Sequence, residues 1–233
     1  MQILRFDELD STNAYAKRNC SLLADKTVIT ANRQTAGRGR LDRKWLSQEG
    51  GLYFSLLLKP QKIDFLPNLT QLMALCICEI LRSLGAEAQL KWPNDILVNG
   101  EKICGILSEA VFTKKGFEGL ILGVGLNVAQ TDLSQAGQPA VSLKMLGMDV
   151  QPESLLSNIT LQFLEKYPQV IQNGFETVRA AYLQHFPYIG QTATIHNTTR
   201  PTTGVVKTIS PEGKLVLQTP EGFIEISIGD MMV

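Results

Sequence analysis

The sequence predicts an α+β fold: a mixed or largely antiparallel sheet with flanking helices, followed by a small C-terminal β-barrel. Three observations carry this. Strand-like apolar segments follow one another through the first half of the chain, helical periodicities come in separate blocks, and after residue 187 the texture changes to short β-rich pieces cut by Gly and Pro. With 233 residues and 44% hydrophobic content, the chain can bury a full core and supports a large domain over 1–187 with an appendage over 188–233.

Each element has its own signal. Asp10-Ser11-Thr12-Asn13 before Ala14-Tyr15-Ala16-Lys17 is a helix N-cap, because a short hydroxyl or carboxylate side chain can accept from the free N–H groups of the first turn. Val28-Ile29-Thr30-Ala31 is short, β-branched and apolar, and Gly51 to Leu58 is a longer run of the same kind ending at Pro60. The intervening stretch carries Gly37, Gly39, Gly50 and Gly51 without hydrophobic periodicity, so it is read as a loop. From Pro67 to Leu84, apolar residues recur at three and four (Leu69, Leu72, Met73, Cys76, Ile77, Ile80, Leu81), which predicts a core helix capped by Gly85. Ala88 to Trp92 is a strand, and Ile96-Leu97-Val98 turns at Asn99-Gly100 into Lys102 to Leu107, the strongest hairpin signal in the chain. A second hairpin turns at Lys114-Lys115-Gly116 and returns through Leu120 to Leu126, apolar throughout like a strand covered on both faces. Helical patterns resume from Glu153 to about Tyr167 and from Phe175 to His185. Strands are then expected at Thr192 to Ile195, Gly204 to Lys207, Leu215 to Leu217 and Phe223 to Ile226.

Composition excludes several classes. Lys plus Arg equals Asp plus Glu at 22 each, so no global field favours nucleic acid or an anionic membrane. The first residues lack the basic-then-apolar pattern of a signal peptide, and no apolar run approaches the roughly 20 residues that span a bilayer, so a cytoplasmic protein is expected. The four cysteines are read as buried thiols, and Cys76 and Cys78, two apart on a helix, point to different faces and do not make a zinc site with the distant His185 and His196. No metal ligands are assigned.

Against zero net charge, Arg33, Arg38, Arg40, Arg43 and Lys44 crowd into thirteen residues with only Asp42 opposing them. Glycines at 37 and 39 let the backbone approach a ligand closely, and each flanking guanidinium offers a planar fork of donors for carboxylate or phosphate. The stretch therefore reads as an anion clamp on a loop expected to order over its ligand, or as a solvated basic loop. Lys91-Trp92-Pro93-Asn94-Asp95 groups a lysine, a tryptophan and a carboxylate at a turn. Lys102 begins a strand beside Cys104-Gly105, where a strand glycine often marks close approach by a ligand. Gly123-Val124-Gly125-Leu126-Asn127 is not a dinucleotide fingerprint, because Val128 stands where the third glycine belongs and no helix follows. No P-loop sequence is present either.

Taken in order, these segments resemble the catalytic part of a biotin protein ligase. The pieces are Ser11-Thr12-Asn13, Gln34 to Arg40 with Trp45, Gly51 to Ser55, Lys91 to Asp95, Lys102 to Gly105 and Gly123 to Asn127. The resemblance implies a class II synthetase-like catalytic domain with an SH3-like barrel behind it. It implies biotin contacts from Ser11, Thr12, Asn13, Gln34, Arg38, Gly39, Arg40, Lys102 and Gly105, and ATP contacts from Arg40, Trp45, Lys91, Asn94, Asp95 and Asn127, with Arg40 and Lys102 as the catalytic cations. Biotin and Mg-ATP are then substrates, no prosthetic group is tightly bound, and the partner is the biotin carboxyl carrier domain of acetyl-CoA carboxylase or a related carboxylase. A helix starting within about ten residues of Met1 leaves no room for the DNA-binding domain of some family members, so no specific DNA binding is expected; a homodimer stays open. In the barrel, Asp230 stands where the family commonly has Glu, which puts a nucleotide-binding role for that domain in doubt. The alternatives are a lipoate or octanoate ligase or transferase of the same superfamily, and a non-enzymatic binding module using the basic loop. The loop's lack of interleaved aromatics disfavours base stacking.

Overall fold

The computed structural model describes residues 1–196 and 201–233. Seven strands form one sheet: β1 (Gln2–Leu9), β2 (Thr27–Gln34), β3 (Leu52–Leu58), β4 (Ala88–Lys91), β5 (Asp95–Val98), β6 (Glu101–Thr113) and β7 (Gly116–Leu126). Their order is β1-β2-β3-β7-β6-β5-β4, with β1 and β2 parallel and every other pair antiparallel. The long β6–β7 hairpin sits near the middle, and its inner register sets Gly105 opposite Gly125 and Leu107 opposite Gly123. At the β5–β6 turn, Asn99 and Gly100 both adopt positive φ (53° and 80°), the tight turn their sequence signals.

Helix α1 (Thr12–Arg18) lies against β3 and β7, capped by Ser11, whose hydroxyl accepts from the Ala14 N–H at 3.4 Å. Helix α2 (Leu66–Ser83) crosses the opposite side and buries Leu69, Leu72, Met73, Cys76, Ile77 and Leu81 completely. Burying one such side chain contributes about 2 kcal/mol, which is why this amphipathic stripe organises the core. Helices α3 (Pro152–Asn173) and α4 (Glu176–Gln184) complete the layer. The four cysteines are free and buried, and burial pushes the Cys76 and Cys78 thiols up to about 12, leaving them protonated and inert.

After residue 187 come β8 (Thr192–His196), β9 (Thr202–Ile209), β10 (Leu215–Thr219), β11 (Gly222–Ile226) and β12 (Asp230–Met232), in the order β11-β10-β9-β8-β12. This is an antiparallel five-stranded sheet, and β11 and β12 are not paired, so the barrel is open rather than closed among the described residues. Its apolar face joins the main core through Ile195, Val206, Leu215, Leu217 and Met231. Polar side chains lock the junction. The Asn68 and Gln71 amides and the Trp92 indole donate to carbonyls of Glu212 and Gly213 (2.9, 2.7 and 3.1 Å), and Arg179 Nε donates to the Ile209 carbonyl (2.7 Å).

Three elements differ from expectation. β1 carries no clean alternation, because as an edge strand it is only partly buried, with Ile3 against one hydrophobic cluster and Leu4, Phe6 and Leu9 against the other, and its pairing with β2 supplies the order. β12 follows Gly229, whose bend hides a strand of three residues from any periodicity. α3 runs through Pro168, so the helix does not stop near Tyr167; one backbone bond is forgone there while Phe163, Tyr167 and Val170 stay buried.

Candidate active site

The segment after β2 is a folded hairpin rather than an open loop. Thr35 and Ala36 tie its base to the Leu9 and Asp10 carbonyls (2.9 and 2.8 Å), while Trp45 N–H donates to Gly37 (3.0 Å) and Gly39 N–H to Arg43 (2.6 Å). Arg38 and Lys44 face each other across it, and a single 3-10 turn (Arg40–Asp42) forms the tip. The hairpin lies over the middle of the large sheet and closes one side of a cleft of about 740 Å³, part of it open to solvent.

The cleft floor is made of missing side chains. Cβ atoms built at Gly105 and Gly125 would strike the Trp45 indole, 2.9 Å from its Cζ3 in the first case and 2.3 Å from its Cε2 in the second. A Cβ at Gly123 would overlap the Asn13 amide. Gly123 and Gly125 point to the same face of β7, and Gly105 joins them from β6, so the motif that failed as a nucleotide fingerprint instead clears a flat surface in the sheet. Trp45 lies on that surface with Lys102 Nζ 5.4 Å from its ring centre, a cation–π arrangement.

At one end of the cleft, Ser11, Thr12, Asn13 and Gln34 form a buried polar wall. Thr12 N–H donates to Gln34 Oε1 (2.8 Å), Gln34 Nε2 to Ser47 Oγ (2.8 Å), and Ser47 Oγ to the Trp45 carbonyl (3.2 Å), so the wall and the hairpin hold each other. At the other end, Lys102 pairs with Asp95 at 2.7 Å, both largely buried. Arg40 donates to Asn94 Oδ1 (3.0 Å) and to the Gly229 carbonyl (3.2 Å) and lies 3.4 Å from Asp230, which also meets Arg43 at 2.7 Å. The C-terminal domain thus reaches the cleft and holds the hairpin by Arg40 and Arg43.

Five cations (Arg38, Arg40, Arg43, Lys44, Lys102) and two carboxylates (Asp95, Asp230) line this space, a local excess of three positive charges in a chain of zero net charge. Among the described residues, four buried side-chain polar atoms lack a hydrogen-bond partner, and three are here: Trp45 Nε1, Asp95 Oδ1 and Asp230 Oδ2, the last with the Arg43 guanidinium near but outside hydrogen-bonding geometry. Buried polar groups are otherwise satisfied almost without exception, so their concentration marks a surface built for a polar ligand.

The expected site residues divide accordingly. Ser11, Thr12, Asn13, Gln34, Arg38, Gly39, Arg40, Trp45, Asn94, Asp95, Lys102 and Gly105 converge on the cleft. Lys91 does not line it. Asn127 lines a smaller adjoining cavity, and its amide donates to the Lys102 and Val141 carbonyls (3.4 and 3.1 Å). Asp230, Arg43, Lys44 and Gly125 line the cleft without having been singled out as site residues. The signal for Arg43 and Lys44 was the charge excess itself; Asp230 was marked only by the resemblance, as a departure from the family's Glu, and nothing local placed it at the cleft, since its position depends on how the two domains pack. Among the described residues no group of three or more metal-ligating side chains exists, and no helix is long and apolar enough to cross a membrane.

Fold and cleft define a protein with a cation-lined cleft over a glycine-floored mixed sheet and a second domain braced against the hairpin, an arrangement suited to an anionic ligand. Comparison with known proteins narrows this. The sequence model of the biotin/lipoate A/B protein ligase family matches residues 5–127, and that of the biotin protein ligase C terminal domain matches residues 188–233. The bifunctional ligase/repressor BirA of Bacillus subtilis is 32% identical over 98% of this chain and 73% of its own length. A biotin–[acetyl-CoA-carboxylase] ligase of Paracoccus denitrificans is 31% identical over 91% of this chain and 92% of its own. The biotin protein ligase of Aquifex aeolicus, solved with biotin and ATP, superposes with a TM-score of 0.88 at 30% identity, covering 99% of this chain and 97% of that one. The chain belongs to the biotin/lipoate A/B protein ligase family.

Proposed function

We propose that this chain is a biotin protein ligase: it joins biotin to ATP as biotinyl-AMP, releasing pyrophosphate, and passes biotin to a lysine of a biotin carboxyl carrier domain. The observation that carries the reading is the cleft itself, where a net charge of +3 and two unpartnered buried polar atoms, Trp45 Nε1 and Asp95 Oδ1, meet a flat glycine floor beside a hydrogen-bonding wall. Biotin has that shape: a small polar ring, an apolar tail that can lie on Trp45 and the glycines, and a carboxylate at the end facing the cations.

In the first step a biotin carboxylate oxygen attacks the α-phosphorus of ATP and the bond to pyrophosphate breaks. Two anions must approach, so the chemistry asks the protein for positioning and positive charge rather than a nucleophile. Arg38, Arg40 and Lys102 supply that charge, with Asn94 and Asp230 fixing Arg40 and Asp95 fixing Lys102. Magnesium arrives as the companion of ATP; hard cations bind phosphates with one or two carboxylates, and Asp95 Oδ1 is the free oxygen from this chain suited to it. In the second step the target amine attacks the mixed anhydride, forming the amide and releasing AMP. The hairpin covering the cleft excludes the water that would hydrolyse the intermediate.

The same reading assigns catalysis to residues 1–187 and the clamp brace to residues 188–233, and places the protein in the cytoplasm with the carrier domain as partner. With zero net charge it includes no specific DNA recognition; a sequence-specific gel shift at physiological salt would contradict that. The deciding experiment is mass spectrometry of the protein after incubation with Mg-ATP and an equal mixture of biotin and lipoate. Retained biotinyl-AMP is expected. A lipoyl adduct in place of a biotinyl one would move the protein to the lipoate branch, and no adenylate with either acid would leave only a binding module.

A further inference from the structure

Two covers flank the cleft, and they are tied to each other at their bases, away from its floor. One is the hairpin after β2. The other is the segment that leaves β7 at Asn127 and returns at Val141, whose N–H donates to the Lys102 carbonyl (3.0 Å); with Trp45 and Lys102 it walls a smaller cavity of about 320 Å³, part of it open to solvent. Where the bases meet, Tyr53 on β3 and Gln130 are both buried, and the direction of each bond between them is fixed. The Val128 N–H donates to Gln130 Oε1 (2.7 Å), and a backbone amide only donates, so Nε2 is the end of the Gln130 side chain that faces the Tyr53 hydroxyl (2.9 Å). That hydroxyl gives its one proton to the Gln48 carbonyl (2.7 Å) and accepts from Gln130; burial pushes the phenol up, so the proton stays on it. Beside them the Ala129 N–H donates to the Gly50 carbonyl (2.7 Å). The returning stem is fastened too: Ser142 Oγ donates to the Gln130 carbonyl (2.6 Å) and accepts from the Met145 N–H (3.1 Å). Gly51 leaves the room, since a Cβ there would lie 2.1 Å from the Tyr53 hydroxyl and 2.6 Å from Gln130 Nε2.

Neither Tyr53 nor Gln130 lines the cleft or the smaller cavity. We propose that they are positioning residues whose hydrogen bond latches the hairpin to the segment after β7, so that the two covers must part together before an activated intermediate escapes. The inference rests on the reading of the cleft as the site of biotinyl-AMP and deepens it: the latch sets how long the intermediate is held, not how fast it is made. Arg40 and Lys102 are oriented by Asn94, Gly229, Asp230 and Asp95 and share no hydrogen bond with the latch. Without the Tyr53 hydroxyl, the Gln48 carbonyl and the Gln130 amide lose their partner in the interior, and residues 48–50 recover one by moving out to water, which loosens the arm that carries Trp45 and Ser47.

The test uses the full-length protein, loaded with labelled biotin and Mg-ATP, desalted, and chased with excess unlabelled biotin and Mg-ATP. Two rates are read: the appearance of free labelled biotinyl-AMP, and the burst of pyrophosphate during loading. In Tyr53→Phe and in Gln130→Leu, release should be about tenfold faster than in the parent while the burst stays within about threefold, a split that a merely weakened fold does not produce. Because both substitutions cut the same bond, the double variant should release no faster than the faster single one. Unchanged release in both single variants, effects that multiply in the double variant, or a burst slowed as much as release is quickened overturns the latch while leaving the biotin reading intact. A parent that forms no biotinyl-AMP overturns both.

Discussion

Replacement of Arg40 by alanine tests the clamp most directly, because this side chain joins the hairpin, the sheet and the C-terminal domain. A guanidinium about 4 Å from a phosphate oxygen at an effective dielectric near 20 is worth about 4 kcal/mol gross. Part of that charge is already drawn by Asp230 at 3.4 Å, so a net loss of about 3 kcal/mol is expected, within the usual cost of deleting one preorganised charge-stabilising donor. That corresponds to about a 150-fold fall in kcat/KM for biotin-dependent ATP–pyrophosphate exchange. The fold should tolerate the change: Asp230 keeps Arg43 at 2.7 Å, and the lost bonds to Asn94 and Gly229 are worth about 1 kcal/mol together. For a chain of this size that lowers Tm by about 2–4 °C. Arg40→Lys keeps the charge but not the planar fork and should recover activity only in part. Exchange within about threefold of the parent at an unchanged Tm would refute the assignment, since no transition-state interaction would then have been removed.

Four further outcomes follow from the geometry. Lys102→Ala should abolish pyrophosphate release while the protein still melts cooperatively, and a normal burst of pyrophosphate would exclude Lys102 from the chemistry. Gly125→Val drives a side chain against the Trp45 indole, its Cβ only 2.3 Å from Cε2, and should lift it from the floor; with Trp92 buried and only two tryptophans in the chain, a red-shifted emission reports this directly, accompanied by loss of retained biotinyl-AMP. Asp230→Ala should raise the KM for ATP about tenfold while changing that for biotin little, because it releases Arg40 and Arg43 without touching the polar wall; equal effects on both would argue against a brace specific to the phosphate end. The Arg18 guanidinium hydrogen-bonded to Asp10 holds that carboxyl down to about 2, against an ordinary 3.8. The depressed value means the contribution is present above pH 3.8 and disappears as pH falls towards 2. The pair is half exposed, so screening keeps its contribution small, and the Tm difference between parent and Arg18→Ala at neutral pH should vanish in acid.

The order in which residues became legible follows the range of the forces that place them. The core stripe of α2, the Asn99-Gly100 turn and the Ser11 cap are set by neighbours within four residues, and all were readable from spacing. The charge excess at residues 33–44 was visible because it departs from the chain's own average, but charge alone could not tell a clamp from solvated surface; what distinguishes them is the glycine floor, which depends on the β6–β7 register across twenty residues of sequence. Trp92 and Trp45 illustrate the gap. Both sit in motifs that carry the resemblance, and nothing local separates their roles. Yet Trp92 is spent on the Gly213 carbonyl at the domain junction, while Trp45 lies over the cleft floor with its N–H unpartnered. Asp230 lies furthest from view, on a three-residue strand whose meaning comes only from the packing of one domain on the other. Its carboxylate nevertheless sets the electrostatics of the hairpin. On the proposed function the C-terminal domain is part of the catalytic device, and a chain cut after residue 187 should lose the orientation of Arg40 even though every residue proposed to contact biotin or ATP would remain.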